Sequence, residues 1–226
     1  MPPLGLAGLL TPPMCVVCRS GCGRALPLCA DCVGELNLAP VIRKSPPPGI
    51  SEVVSCAPHE GVARALLAAF KFRGLTGLAP LIAGYMADLV GSGPCGQILV
   101  PVPAAPGRKR WRGFDPAGEL AREIVRADSG FTLADDLLVR RGRGSQRGRR
   151  REARLAAPPS IESTGVSPAC GFPPPAVSGP SAGCRGGTAT LVDDVLTTGG
   201  TLTACAGALA GAGIGPVSAV TFTRRL

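Results

Sequence analysis

The sequence predicts an α/β domain built on a mostly parallel sheet, with a small cysteine-rich element ahead of it. Three observations carry that expectation. Between residues 51 and 222 short aliphatic runs alternate with longer stretches of helical periodicity, the alternation that lays helices across a parallel sheet. Two C-x-x-C pairs, Cys15 with Cys18 and Cys29 with Cys32, fall within the first 32 residues. Between the two regions, Pro40 to Gly49 includes the run Pro46 to Pro48 and reads as a linker. The expected division is residues 1–45 for the cysteine element and linker, and 50–226 for the α/β domain.

The composition fits one good-sized core. Of 226 residues 45% are apolar, with six Phe, one Trp and one Tyr, so the core is mainly aliphatic. The 32 Gly and 24 Pro are clustered, which points to local irregular segments within a folded chain. The net charge of +9 arises mainly from one arginine-dense region and suits phosphates, nucleic acid or an acidic partner without choosing among them. Met1 to Met14 is apolar but has no basic start and is too short for a membrane span, so neither signal peptide nor anchor is expected and the protein is expected to be cytoplasmic.

Ten cysteines without an export signal are expected to be reduced or metal-bound. Each C-x-x-C pair can bend its backbone around one ion, so Cys15, Cys18, Cys29 and Cys32 together offer a closed tetrahedral site for a structural Zn²⁺, a zinc ribbon. Cys22 can replace a member of either pair or stay free. The bland alternative is thiols packed as small hydrophobes, or a redox pair.

Ser51 to Cys56 is a strand. Val62 to Phe72 is a helix with Val62, Leu66, Leu67 and Phe70 on one face, stopped by Gly74. Its basic end, Lys71 and Arg73, either complements the helix dipole or meets a phosphate. His59, the only histidine, is assigned no catalytic role. Leu78 to Val90 is a second amphipathic helix and Ile98 to Val102 a buried strand. That strand runs into Pro103 through Pro101-Val102-Pro103, a rigid corner able to bend the backbone beneath a pyrophosphate. Arg108, Lys109, Arg110 and Arg112, between Gly107 and Gly113, are expected to form a mobile basic loop that closes over a charged substrate, or merely a solvated one.

Ala117 to Arg126 reads as helix, and Leu133 to Val139 as a helix end or short strand. Arg140, Arg141, Arg143, Arg147, Arg149, Arg150, Arg151 and Arg154 then form a run that suits polyanions without sequence selectivity and holds no aromatic on which a base could stack. Ala156 to Gly187, rich in Pro, Ser, Gly and Ala, is expected to be a disordered insertion.

Thr188 to Thr201, TATLVDDVLTTGGT, is the stretch with the most chemistry. Ala189, Leu191 and Val192 suit a buried parallel strand, Asp193 and Asp194 fall where it would end, and Thr197 to Thr201 would open a helix. Small residues at a helix start leave N–H groups unpaired, and the helix adds partial positive charge, so a phosphate can be held there. Gly199 and Gly200 permit close approach, and the hydroxyls of Thr197, Thr198 and Thr201 can donate. Asp193 and Asp194 can accept from vicinal sugar hydroxyls or hold a hydrated Mg²⁺. The bland alternative is a strand end and a helix cap with no ligand. Leu202, Cys205 and Leu209 then line a helix that Gly211 and Gly213 end, and Val217 to Phe222 is a last strand.

LVDDVLTTGGT resembles the phosphoribosyl pyrophosphate motif of the type I phosphoribosyltransferases, an apolar strand, two acids and a T-T-G-x-T turn. The resemblance assigns Asp193 and Asp194 to the ribose hydroxyls and Thr197, Thr198, Gly199, Gly200 and Thr201 to the 5′-phosphate. The wider order is similar to the ComF competence family: four cysteines, Lys71 to Gly74, Pro101 to Pro103, Arg112 to Phe114, then this motif. The chain departs from that family at Asp115 and Pro116, where asparagine and glutamine usually stand.

The resemblance implies a type I phosphoribosyltransferase-like fold that binds phosphoribosyl pyrophosphate with Mg²⁺. Lys71, Arg73, Pro101 and Arg112 would be its pyrophosphate or loop contacts. The alternative it implies is a non-catalytic accessory protein for DNA uptake, with single-stranded DNA on the arginine run and a competence helicase as partner.

Overall fold

The computed structural model describes residues 13–24, 26–36, 38–42, 45–90, 97–127, 130–141, 160–164 and 188–225. Within them lie eight strands: β1 (Val41–Ile42), β2 (Val53–Pro58), β3 (Ile98–Pro101), β4 (Thr132–Leu133), β5 (Leu138–Arg140), β6 (Ile161–Ser163), β7 (Ala189–Leu196) and β8 (Val217–Arg224). Six α-helices accompany them: α1 (Ala30–Glu35), α2 (Gly61–Phe72), α3 (Ala79–Val90), α4 (Pro106–Arg112), α5 (Pro116–Ala127) and α6 (Gly200–Gly211). The main sheet has the order β1-β2-β8-β7-β3-β4; β1 is antiparallel to β2 and the other five strands are parallel. β5 and β6 form a separate antiparallel pair.

The parallel strands are covered on both faces, as their near-continuous apolar runs require. Successive side chains along β7 point to opposite faces, so Val192 joins Leu66, Phe70, Ile82, Leu120 and Ile124, from α2, α3 and α5, on one side. Leu191 joins Leu202, Cys205 and Leu209 of α6 on the other. Each fully buried side chain of this size contributes about 1.5–3 kcal/mol relative to exposure. Of the buried hydroxyls, Ser55 pairs with Thr221 at 2.7 Å and Thr190 with Ser218 at 2.8 Å inside the sheet, while Thr223 pairs with His59 Nδ1 at 2.8 Å just beyond β2.

The connections decide where a ligand can sit. From β3 the chain passes through α4 and α5 to β4, outward on one side; from β7 it passes through α6 to β8, outward on the other. Neighbouring strands whose connections leave in opposite directions open a crevice at their carboxyl ends, the usual ligand position in open parallel sheets. Here it lies beyond Pro101 and the acid pair.

Four expectations change. β7 does not stop at the acids; Val195 and Leu196 continue to pair, with Thr223 and Arg224, because β8 runs equally far alongside. The basic segment is the short helix α4, with Pro106 preorganising its first turn and Gly113, at φ 78°, ending it left-handed. The proline-rich linker contributes β1, whose Val41 pairs with Ser55. Within the 156–187 insertion, expected to be disordered, β6 pairs residue for residue with β5 and Ile161 packs against the α6 side of the core; residues 156–159 and 165–187 lie outside the described residues. Of the arginine run only Arg140 and Arg141 lie among the described residues.

The cysteine element shares the core of the sheet domain, since Cys15, Leu28 and Leu36 belong to the same apolar cluster as Leu66 and Leu67. No helix among the described residues is long and apolar enough to cross a membrane.

Candidate functional site

A cleft of about 740 Å³ opens at the carboxyl ends of β3 and β7. Its wall includes Asp193, Asp194 and Val195 of β7, Thr197 and Thr201 from the turn and first residues of α6, and Val102 to Ala105 beyond β3. Cations face this wall: Arg64 and Lys71 from α2, Arg108 and Arg112 from α4, Arg140 from β5 and Arg225 after β8. A hollow ringed by cations, with carboxylates at its floor, suits a ligand that carries both phosphate and hydroxyl groups.

The acid pair is split by the strand's alternation. Asp194 meets Lys71, Nζ to Oδ2 at 2.6 Å, with both side chains only 13% exposed. Asp193 faces the α6 side, and its Oδ1 accepts from the Asp194 N–H at 2.8 Å. Burial, with the Asp194 charge next to it, pushes the Asp193 carboxyl well above the usual carboxylate range. Burial together with Asp193 raises the Cys205 thiol beneath it to about 12.

The start of α6 follows at once. Gly199 takes φ 84°, a conformation costly for side-chain-bearing residues, and no side chain caps the helix. The free N–H groups of its first turn adjoin the cleft, where Thr197 and Thr201 add hydroxyls. Thr198 and Gly200 are exposed in the same turn and Gly199 is buried within it.

The expected contacts beyond the motif divide. Lys71 and Arg112 reach the cleft. Arg112 lies over the Phe72 ring, 5.0 Å from Cζ to centroid, and its buried Nε has no partner. Arg73 turns away to donate to the Val16 carbonyl oxygen at 2.8 Å. Pro101 is a buried strand residue paired with Val192, and it is Val102 to Ala105 that line the wall.

Other cleft residues lie outside the expected contacts. Arg64 stands seven residues before Lys71, hence on the same helix face, a spacing that was available to be read. Asp115, at one of the departures from the family pattern, lines the cleft and holds a buried Oδ1 without a partner. Trp111 is 71% exposed and tilts against Phe72, itself 60% exposed, with centroids 6.2 Å apart. Arg225 is placed at the rim by the β7 ladder, its N–H donating to the Leu196 carbonyl oxygen at 2.8 Å.

A second chemical cluster lies in the cysteine element. The sulfurs of Cys15, Cys18, Cys29 and Cys32 lie within 4.8 Å of one another, close to the edge of about 3.8 Å that a tetrahedron of thiolates around zinc would have. Cys15 and Cys18 sit on a tight turn closed by Arg19 N–H to Cys15 O at 3.0 Å; Cys29 caps α1 and Cys32 lies in its first turn. The second pair therefore rides on a helix end. Burial raises Cys15, but N–H groups of Cys18, Cys29 and Val17 outweigh it and bring the thiol down to about 6. Cys18 is lowered too, chiefly by Ser20. Cys32 is raised by burial and by the neighbouring sulfurs. Four sulfurs competing for negative charge in one place can bind a metal such as zinc. Cys22 is not one of the four.

No protein-family model matches the chain, and no curated protein matches it either.

Proposed function

We propose that the cleft binds phosphoribosyl pyrophosphate with Mg²⁺, as a phosphoribosyltransferase-family protein similar to the ComF group, and that the four cysteines hold a structural Zn²⁺. The observation that carries the first part is the meeting, at one strand crossing, of an acid pair, an uncapped helix start bearing hydroxyls, and a ring of cations.

Each group has a task that its chemistry suits. The N–H groups at the start of α6, with Thr197 and Thr201, take the 5′-phosphate. Asp193, which keeps a proton readily, and Asp194, paired with Lys71, meet the two ribose hydroxyls as donor and acceptor. Arg108 and Arg112 neutralise the diphosphate as it leaves C1 with the bonding pair. Bound Mg²⁺ would supply further neutralisation of the diphosphate, and the carboxylate oxygens of Asp194 and Asp115 suit so hard a cation. Transfer to an acceptor needs positioning and water exclusion more than a protein nucleophile, since the sugar carbon develops cationic character.

Trp111 is the only tryptophan, so its fluorescence reports binding at the cleft mouth. Titration with phosphoribosyl pyrophosphate and Mg²⁺ should give a saturable change, and Asp193→Ala with Asp194→Ala should abolish it. Equal affinity in both proteins would defeat the assignment.

A second reading, a DNA-uptake accessory protein, gains support from one feature: exposed Trp111 and Phe72 beside Arg108, Lys109 and Arg110 make a stacking surface among cations. Single-strand affinity should then fall steeply with salt and weaken in Trp111→Ala; salt-insensitive or absent binding would count against it.

A further inference from the structure

Beside the main cleft lies a smaller recess of about 450 Å³, lined by Pro58, His59, Glu60, Arg64, Arg224 and Arg225. The sheet fixes this grouping. Pro58 ends β2 opposite Arg224 near the end of β8, and the His59 N–H donates to the Arg224 carbonyl oxygen at 2.7 Å. Arg64 stands at the end of the first turn of α2, a helix whose start no side chain caps.

Three guanidiniums converge on this recess against one carboxylate, Glu60, which is exposed. Among the described residues none of the three forms an ion pair. Arg224 carries a buried Nε with no hydrogen-bond partner, so its guanidinium charge is not satisfied within the protein at that atom. Three like charges gathered against a single exposed carboxylate are an arrangement that a bound anion stabilises. His59 registers the same field: burial and then Arg225, Lys71 and Arg64 hold its imidazole below the ordinary value, opposed by Asp194.

His59, Arg64 and Arg225 line both the recess and the main cleft, so the two hollows adjoin. We infer that the recess is a second anion site, holding a phosphate monoester carried by the acceptor that meets the sugar phosphate. The acceptor is then a phosphorylated molecule and not a neutral base alone. The word acceptor rests on the proposed role of the main cleft; the anion site itself does not.

The sole histidine supplies a local probe, since its imidazole C–H signals can be followed by NMR without overlap from another histidine. With the main cleft saturated by phosphoribosyl pyrophosphate and Mg²⁺, inorganic phosphate is added at constant pH. The expected result is a saturable shift of the His59 signals. Arg224→Gln should weaken phosphate about ten-fold or more, the loss of one charged hydrogen-bonding partner. Glu60→Gln, at an exposed position outside the main cleft, should tighten it by about two-fold. Phosphate that leaves His59 unmoved, or binds Arg224→Gln as it binds the parent, overturns the site. Phosphate that merely displaces phosphoribosyl pyrophosphate overturns it as well. If phosphoribosyl pyrophosphate fails to bind while the phosphate titration still depends on Arg224, the reading of the main cleft falls and the anion site stands.

Discussion

Replacing Lys71 by Met removes the cation 2.6 Å from Asp194 and keeps the length of the side chain. At that distance, with an effective dielectric constant near 20, the attraction is about 6 kcal/mol before either ion's lost hydration is counted. Breaking a buried pair by removing one partner typically costs 3–5 kcal/mol. With both side chains 13% exposed the low end applies, so the expected loss is about 3 kcal/mol. For a chain of this size that is a fall in melting temperature of roughly 6–12 °C. Urea unfolding at neutral pH, followed by circular dichroism, measures it. The pair Lys71→Met with Asp194→Asn tests the cause: with no charge stranded, most of the loss should return, a coupling of about 2 kcal/mol. A single-variant loss under about 0.5 kcal/mol, or a double variant as unstable as the sum of the singles, would refute the reasoning.

Asp193→Asn should raise stability at neutral pH by about 1 kcal/mol while weakening ligand binding, the usual exchange at a site built for function. The sign follows from the raised folded-state pKa of Asp193: its favourable contribution is complete below the unfolded value and is lost as pH rises through the folded one, so the variant's advantage should vanish on acidification. A variant whose advantage grows on acidification would contradict this. Gly199→Ala should cost about 1–2 kcal/mol in chemical denaturation, because φ 84° strains any side chain; an unchanged midpoint would argue against the turn as described. Metal analysis should find one zinc per chain, retained in Cys22→Ser and weakened more than about 100-fold in Cys29→Ser; zinc lost with Cys22 would reassign the ligands.

The sheet domain was readable because its cues are local. Strand and helix periodicity located β2, β3, β7, β8 and four helices to within a few residues, and C-x-x-C spacing found all four sulfurs that converge. Long-range pairing left weaker marks. Nothing near Val41 or Ile161 announces a strand, since each becomes one only when Ser55 or Arg140 arrives alongside. β7 continues past Asp194 because β8 offers partners there, a fact absent from its own residues. The cleft was half legible: the acids and threonines form one motif, whereas Arg64, Asp115 and Arg225 come from separate elements that only the strand order brings together. Arg73 shows the converse, a cation in the expected motif that the fold turns toward Val16.

The strand order also bears on how the molecule is made. β2 and β3 never touch; the space between them is filled by β8 and β7, both from residues 188–225. On a ribosome adding 5–20 residues each second, β3 waits roughly ten seconds for its central neighbour, with an apolar edge bare meanwhile. The early strands can pair as they do in the finished sheet only at its two edges, β1 with β2 and β3 with β4, because the strands that join those halves follow residue 188 and one of them carries the acids. Closure of the core and assembly of the cleft are thus one event, and an interrupted chain has neither.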